Sequence, residues 1–183
     1  MGFSGQVRPA AAADAADVGR IYIASWNEGF GHLLGRQTPS PRDVEQWAGE
    51  LTSGPVRWWV AETQGRVAGF AGICPSRDPV QAGLGELDTI AVNPAHWRTG
   101  VGRALMTVAL DALRGDGYAE AIVWTLAGYQ RGHGFYLAMG WLPDGGCRDG
   151  GRQVSFRQPL TKPASPSPTR FSPPSPGAQA SCN

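Results

Sequence analysis

Apolar positions up to Leu160 change their period several times, and each period predicts an element. Gln6 to Pro9 reads as a short first strand. Between Asp14 and Phe30, Val18, Ile21, Ala24 and Trp26 recur at helical spacing, and Ser40-Pro41 opens a second helix through Trp47 to Leu51, proline being well tolerated at a first helical position. Arg57 to Glu62 and Val67 to Ile73 are β-rich runs joined by Thr63-Gln64-Gly65-Arg66, which predicts a hairpin. Glu86 to Val92 predicts another strand, stopped by Asn93-Pro94. Gly100 to Arg114 is apolar over most of a helical circumference, leaving Arg103, Thr107, Asp111 and Arg114 as a narrow polar stripe, so this helix must pack on a sheet. Ala119 to Leu126 predicts a buried strand, Gln130 to Met139 a short helix, Gly140 to Pro143 a short strand and Gln153 to Leu160 a last strand. The order βααβββαβαββ specifies an α/β fold: a mixed, mostly antiparallel central sheet flanked by helices.

Composition narrows the function. The chain has 183 residues, enough for one sizeable core, and residues 1–160 are expected to form a single domain. Residues 161–183 hold six of the fifteen prolines and one aromatic, a composition expected of a disordered tail. Sixteen basic against fifteen acidic residues leave a net charge of +1, too weak a field for a dedicated nucleic-acid binder. Cys74, Cys147 and Cys182 have neither a disulfide pattern nor metal-ligand spacing, and His32, His96 and His133 lack a second ligand nearby, so no metal is expected. Acidic residues interrupt the N-terminal stretch, and nowhere do eighteen apolar residues run together, which predicts a soluble, cytoplasmic chain without membrane contact.

The most informative stretch is ELDTIAVNPAHWRTGVGRAL, a strand, a loop containing Gly100 and Gly102, and immediately a helix. Free amides at a helix N-terminus, beside the guanidinium groups of Arg98 and Arg103, make an anion site suited to a pyrophosphate. A dinucleotide fingerprint would need a third glycine where Leu105 stands, and a P-loop would need a lysine this region lacks; both readings fail.

These residues resemble the GNAT superfamily of acyl-CoA-dependent N-acyltransferases, whose pyrophosphate loop runs Gln/Arg-x-x-Gly-x-Gly/Ala. The frame here is Trp97-Arg98-Thr99-Gly100-Val101-Gly102, and the family's Phe-Tyr-x-x-x-Gly-Phe signature is matched downstream by Phe135-Tyr136-Leu137-Ala138-Met139-Gly140-Trp141. The likeness runs from about Gln6 to Leu160. It implies an N-acetyltransferase that uses acetyl-CoA as donor cosubstrate, with the main chain of Ile90, Ala91 and Val92 pairing with the pantetheine arm. Arg98, Thr99, Gly100, Val101, Gly102 and Arg103 would hold the pyrophosphate, and Tyr129 would touch the cofactor. Trp97 stands where the family has Arg or Gln, and Tyr129 where it often has Asn.

The resemblance further implies Glu86 as general base, directly or through water, with Asp88 as second candidate, and Tyr136 as the acid that protonates the departing thiolate. A bulge in the strand would accompany them. Ser25, Ser40 and Cys74 sit in no nucleophile elbow, so direct transfer is expected. Trp26 and Trp47, with Tyr22, Glu28 and Phe30, allow an acceptor pocket with aromatic walls. The acceptor is expected to be a small-molecule amine or a peptide or protein amine, and a homodimer is compatible with the resemblance. A silent acyl-CoA-binding sensor, or an acyltransferase using a longer acyl-CoA or a hydroxyl acceptor, stays open.

Overall fold

The computed structural model describes residues 2–160; residues 161–183, read above as a disordered tail, lie outside the described residues. The strands are β1 (Gln6–Pro9), β2 (Arg57–Thr63), β3 (Arg66–Pro75), β4 (Leu84–Val92), β5 (Glu120–Leu126), β6 (Leu142–Arg148) and β7 (Gln153–Pro159). The helices are α1 (Ala15–Gly29), α2 (Gly31–Leu34), α3 (Pro41–Ser53), α4 (Val101–Gly115) and α5 (Gln130–Ala138). One sheet orders the strands β1-β2-β3-β4-β5-β7-β6, and only the β4–β5 pair is parallel. This is the mixed, mostly antiparallel α/β sheet expected from the pattern.

Alternation along β2 and β3 divides the core. Trp58, Val60 and Phe70 join Val18 and Ile21 of α1, with Trp47 of α3 packed against them, while Ala61, Ala68 and Ala71 meet Val101 and Leu105 of α4. The small alanines let α4 lie close to the sheet. A further cluster of Met106, Leu110, Leu113, Val123, Tyr136, Trp141 and Phe156 ties α4 and α5 to β5 and β7.

Two details differ from the sequence reading. The first helix does not run through Phe30: α1 ends at Gly29 and the chain turns into the short α2, which carries the exposed Leu33 and Leu34 and no helical stripe that periodicity could detect. The strand placed at Gly140 to Pro143 is instead Leu142–Arg148. Gly140 is a left-handed turn residue (φ 87°), and β6, an edge strand, is mostly exposed and its register with β7 is broken between Pro143 and Cys147. Without a buried face it shows no alternation to read.

Where β1 leads into α1, the Asp14 carboxylate accepts two bonds from the Arg8 guanidinium (2.8 and 2.9 Å) and one from the Ala11 amide (2.8 Å). Arg8, foremost, holds this carboxyl below the usual carboxylate range, against the opposing effect of burial. A depressed folded-state pKa contributes stability that is present at neutral pH and is lost as pH falls through the folded value. Asp14→Asn is therefore expected to lower unfolding free energy at pH 7 by about 1–2 kcal/mol and to flatten its decline in acid, as read from urea midpoints against pH.

Candidate active site

The parallel β4–β5 ladder is short. It pairs Leu84 with Glu120, Gly85 with Ala121 and Glu86 with Ile122, and ends there. From Thr89 to Val92 the main chain of β4 has no strand partner on the β5 side, so the peptide groups of this stretch that point away from β3, which alternate along a strand, can pair with an extended ligand, except the Val92 carbonyl, which Trp97 occupies. A cavity of about 890 Å³ opens on this side, lined by Ile90 and Val92, by the loop through Trp97, Arg98, Gly100, Gly102 and Arg103, and by Tyr129, Arg131, Phe135 and Tyr136.

The loop is held before any ligand arrives. Asn93 caps the turn at Pro94–His96 by accepting from the Ala95 amide (3.1 Å), Thr99 Oγ1 donates to the His96 carbonyl (2.7 Å), and Trp97 Nε1 donates to the Val92 carbonyl (2.8 Å). Trp97 thus clamps the loop to the end of β4, and the Arg131 guanidinium lies 4.1 Å from its ring centroid. Arg98 (φ 64°) and Gly100 (φ 94°) are both left-handed on either side of Thr99. Gly100 caps α4 and its carbonyl accepts from Ala104, so the amides of Val101, Gly102 and Arg103 have no acceptor within the helix. With the Arg98, Arg103 and Arg131 side chains lining the same cavity, these donors fit a pyrophosphate. Sequence reading missed Arg131; a cation in the first turn of α5, one helix away, gave no local signal.

A second cavity, about 530 Å³, lies against the same strand. Tyr22, Asp43, Trp47, Glu50, Trp58, Arg77, Asp88 and Thr89 line it. The Trp47 ring packs tilted against Tyr22 (centroids 5.5 Å apart) and edge-on to Trp58 (5.4 Å), so Tyr22 and Trp47, expected as aromatic walls, are brought together here. Trp26 and Phe30 pack on one another instead, and Phe30 meets Tyr129 at 4.5 Å. Thr89 lines this cavity and the adjacent Ile90 the other, so one peptide of β4 borders both.

Glu86 and Asp88 converge on one guanidinium. Glu86 is only 4% exposed; its carboxylate accepts from the Arg77 amide (3.0 Å) and from Arg77 Nη2 (2.8 Å), and the same Nη2 donates to Asp88. Thr89 Oγ1 donates to the other Asp88 oxygen (2.9 Å). The strand is bulged here: Gly72 pairs with Thr89 and Ile73 with Leu87, leaving Asp88 as the extra residue. Of the two carboxylates, Asp88 lines the second cavity and Glu86 lies behind it. Arg77 was also missed, since it reaches β4 from a loop anchored elsewhere by Trp124 Nε1 donating to the Asp78 carbonyl (2.8 Å). Ligand atoms of Cys74, Glu86 and Asp88 lie within 4.8 Å of one another. Arg77 occupies both carboxylates, however, and burial pushes the Cys74 thiol up to about 11, which gives a metal a neutral thiol in place of a thiolate.

Tyr136, on α5, is 7% exposed, reaches the larger cavity and packs between Trp141 and Phe156. Burial, and secondarily Tyr129, push its phenol pKa well up, so the hydroxyl keeps its proton through the neutral range. Tyr129 caps α5 and is likewise raised by burial, against the lowering effect of Arg131.

Residues 17–141 match the model of the acetyltransferase (GNAT) family. The chain belongs to the GNAT acetyltransferase family. A rat relative, N-acetyltransferase family 8 member 3, is 30% identical over 89 residues, covering 48% of this chain and 39% of the relative, so the match spans about two fifths of that protein. Phosphinothricin N-acetyltransferase of Streptomyces viridochromogenes is 28% identical over 179 residues, covering 90% of this GNAT chain and 93% of the relative. PaiA N-acetyltransferase from Thermoplasma acidophilum, solved in complex with coenzyme A, shares the fold with a TM-score of 0.66 at 16% identity, covering 86% of this chain and 99% of that one. No helix among the described residues is long and apolar enough to cross a membrane.

Proposed function

We propose that this GNAT chain is an N-acetyltransferase that moves acetyl from acetyl-CoA to a primary amine by direct transfer in a ternary complex. The observation that carries this reading is that adjacent residues of one strand, Thr89 and Ile90, border two cavities, one lined by donors suited to a pyrophosphate and the other by aromatics and carboxylates. Acetyl-CoA supplies an activated thioester, which the amine attacks with expulsion of the thiolate. The amides and guanidinium groups from Arg98 to Arg103, with Arg131, hold the pyrophosphate, while the main chain along Ile90, Ala91 and Val92 holds the arm in extended form through its groups on the β5 side. Tyr129 borders the same groove.

The amine proton passes to the Glu86–Asp88 pair, either directly or through water. Asp88 is the member facing the acceptor, and each of its engaged oxygens keeps a second lone pair for the proton. Glu86 fixes Arg77, which in turn positions Asp88. Tyr136 gives its proton to the departing thiolate. Direct transfer is supported by the placement of Cys74, which is raised to about 11 by burial and lines neither cavity.

The test is an amine panel with acetyl-CoA, following thiol release after subtraction of acceptor-free hydrolysis. Lack of acetyl-CoA binding sinks the reading; binding with no turnover of any amine makes the chain an acyl-CoA-binding module. Asp88→Asn is expected to lower kcat/KM by about 100-fold, and Glu86→Gln by a smaller factor because it acts through Arg77. An unchanged kcat/KM in both variants would assign the proton to water.

A further inference from the structure

The acceptor cavity is unlike one built for an amino acid. From α3, Asp43, Trp47 and Glu50 stand at i, i+4 and i+7 and so share one helix face, which lines the cavity opposite Asp88. The lining therefore has three carboxylates against one guanidinium among the described residues, and that guanidinium, Arg77, is already paired with Glu86 and Asp88. A ligand carboxylate or phosphinate entering here would meet Asp43 and Glu50 without a free cation to receive it. An ammonium group finds the Glu50 carboxylate, the Asp43 oxygen that is not accepting from the Ser40 amide, and the ring of Trp47, itself held in place by Tyr22, Trp58 and Phe70.

We infer that the acceptor is a primary diamine or longer polyamine, one of whose amines reacts beside Asp88 while a second, still protonated, is held by Asp43, Glu50 and Trp47. This rests on the acetyl-transfer reading and specifies its substrate class. A volume of about 530 Å³ accommodates an aliphatic chain of several carbons between the two ends. The substrate would thus reach this protein from reactions that decarboxylate basic amino acids, because those leave a diamine without an acidic group.

The experiment compares kcat/KM for 1,4-diaminobutane with that for n-butylamine, its monocationic counterpart, and for glutamate and phosphinothricin, both of which carry anionic groups. The diamine is expected to exceed butylamine by about tenfold, the combined scale of two partly exposed charge pairs and a cation–π contact. Glu50→Gln is expected to reduce this preference about threefold, and added salt to narrow it in the unaltered chain, a readout that does not depend on the variant's folding. Greater kcat/KM for glutamate or phosphinothricin than for the diamine, or a preference insensitive to both Glu50→Gln and salt, overturns the diamine assignment while leaving acetyl transfer standing. Failure to bind acetyl-CoA in calorimetry, or silence toward every amine, overturns the acetyl-transfer reading and this inference with it.

Discussion

Gly102→Val is expected to weaken acetyl-CoA binding by at least about 100-fold, close to 2.7 kcal/mol, with the fold retained. Gly102 sits in the first turn of α4, where its amide is among the donors without a helical acceptor. A Cβ built there lies 3.3 Å from Phe135 and 3.6 Å from Val92, two walls of the groove, so the branched valine must push Phe135 or project into the space beside the amides. The loss is steric, since no charge is removed. Titration calorimetry against acetyl-CoA, with thermal melting to verify folding, checks it. Unchanged affinity in a folded variant would refute the pyrophosphate assignment of this loop.

Tyr136→Phe is expected to separate chemistry from binding. The change deletes one oxygen from a ring packed against Trp141 and Phe156, so packing is conserved. What is lost is the proton for the departing thiolate, and kcat should fall by about 100-fold, the lower end for a positioned general acid, with acetyl-CoA affinity within about twofold. Pre-steady-state measurement of thiol release distinguishes this from slow product dissociation. A kcat within about threefold of the unaltered chain would remove Tyr136 from the mechanism.

Local chemistry made one half of this protein legible in the sequence. The loop proposed to hold a pyrophosphate could be read because that role needs only consecutive backbone amides: Asn93-Pro94 ends the strand, Gly100 permits the left-handed cap, and the apolar circumference of Gly100 to Arg114 demands a helix immediately afterwards. The hairpin at Thr63 to Arg66 was legible for a similar reason, although Gln64 (φ 52°) shares the left-handed form with Gly65 (φ 70°), a conformation that favours tight hairpins. Elements with a buried face were found close to their observed bounds. Those without one, α2 and β6, were missed or misplaced, because exposure removes the periodicity that burial imposes.

Across the sheet, the other half was decided by tertiary structure. Arg77 and Glu86 are nine residues apart in the chain and belong to separate elements, and only the return of β4 alongside β3 places the guanidinium on both carboxylates. The bulge that makes Asp88 the extra residue depends on the register between these two strands. Arg131 reaches the groove through its contact with Trp97, and the acidic, aromatic face of α3 becomes a wall of the smaller cavity only when α3 packs beside α1 and β2. The amino-acid sequence by itself determined the strand, loop and helix to which pyrophosphate binding is assigned, since hydrogen bonds and φ angles there are settled between near neighbours. The charge and shape of the smaller cavity were decided by the tertiary structure, because they are sums over side chains that share no local pattern and meet only through packing.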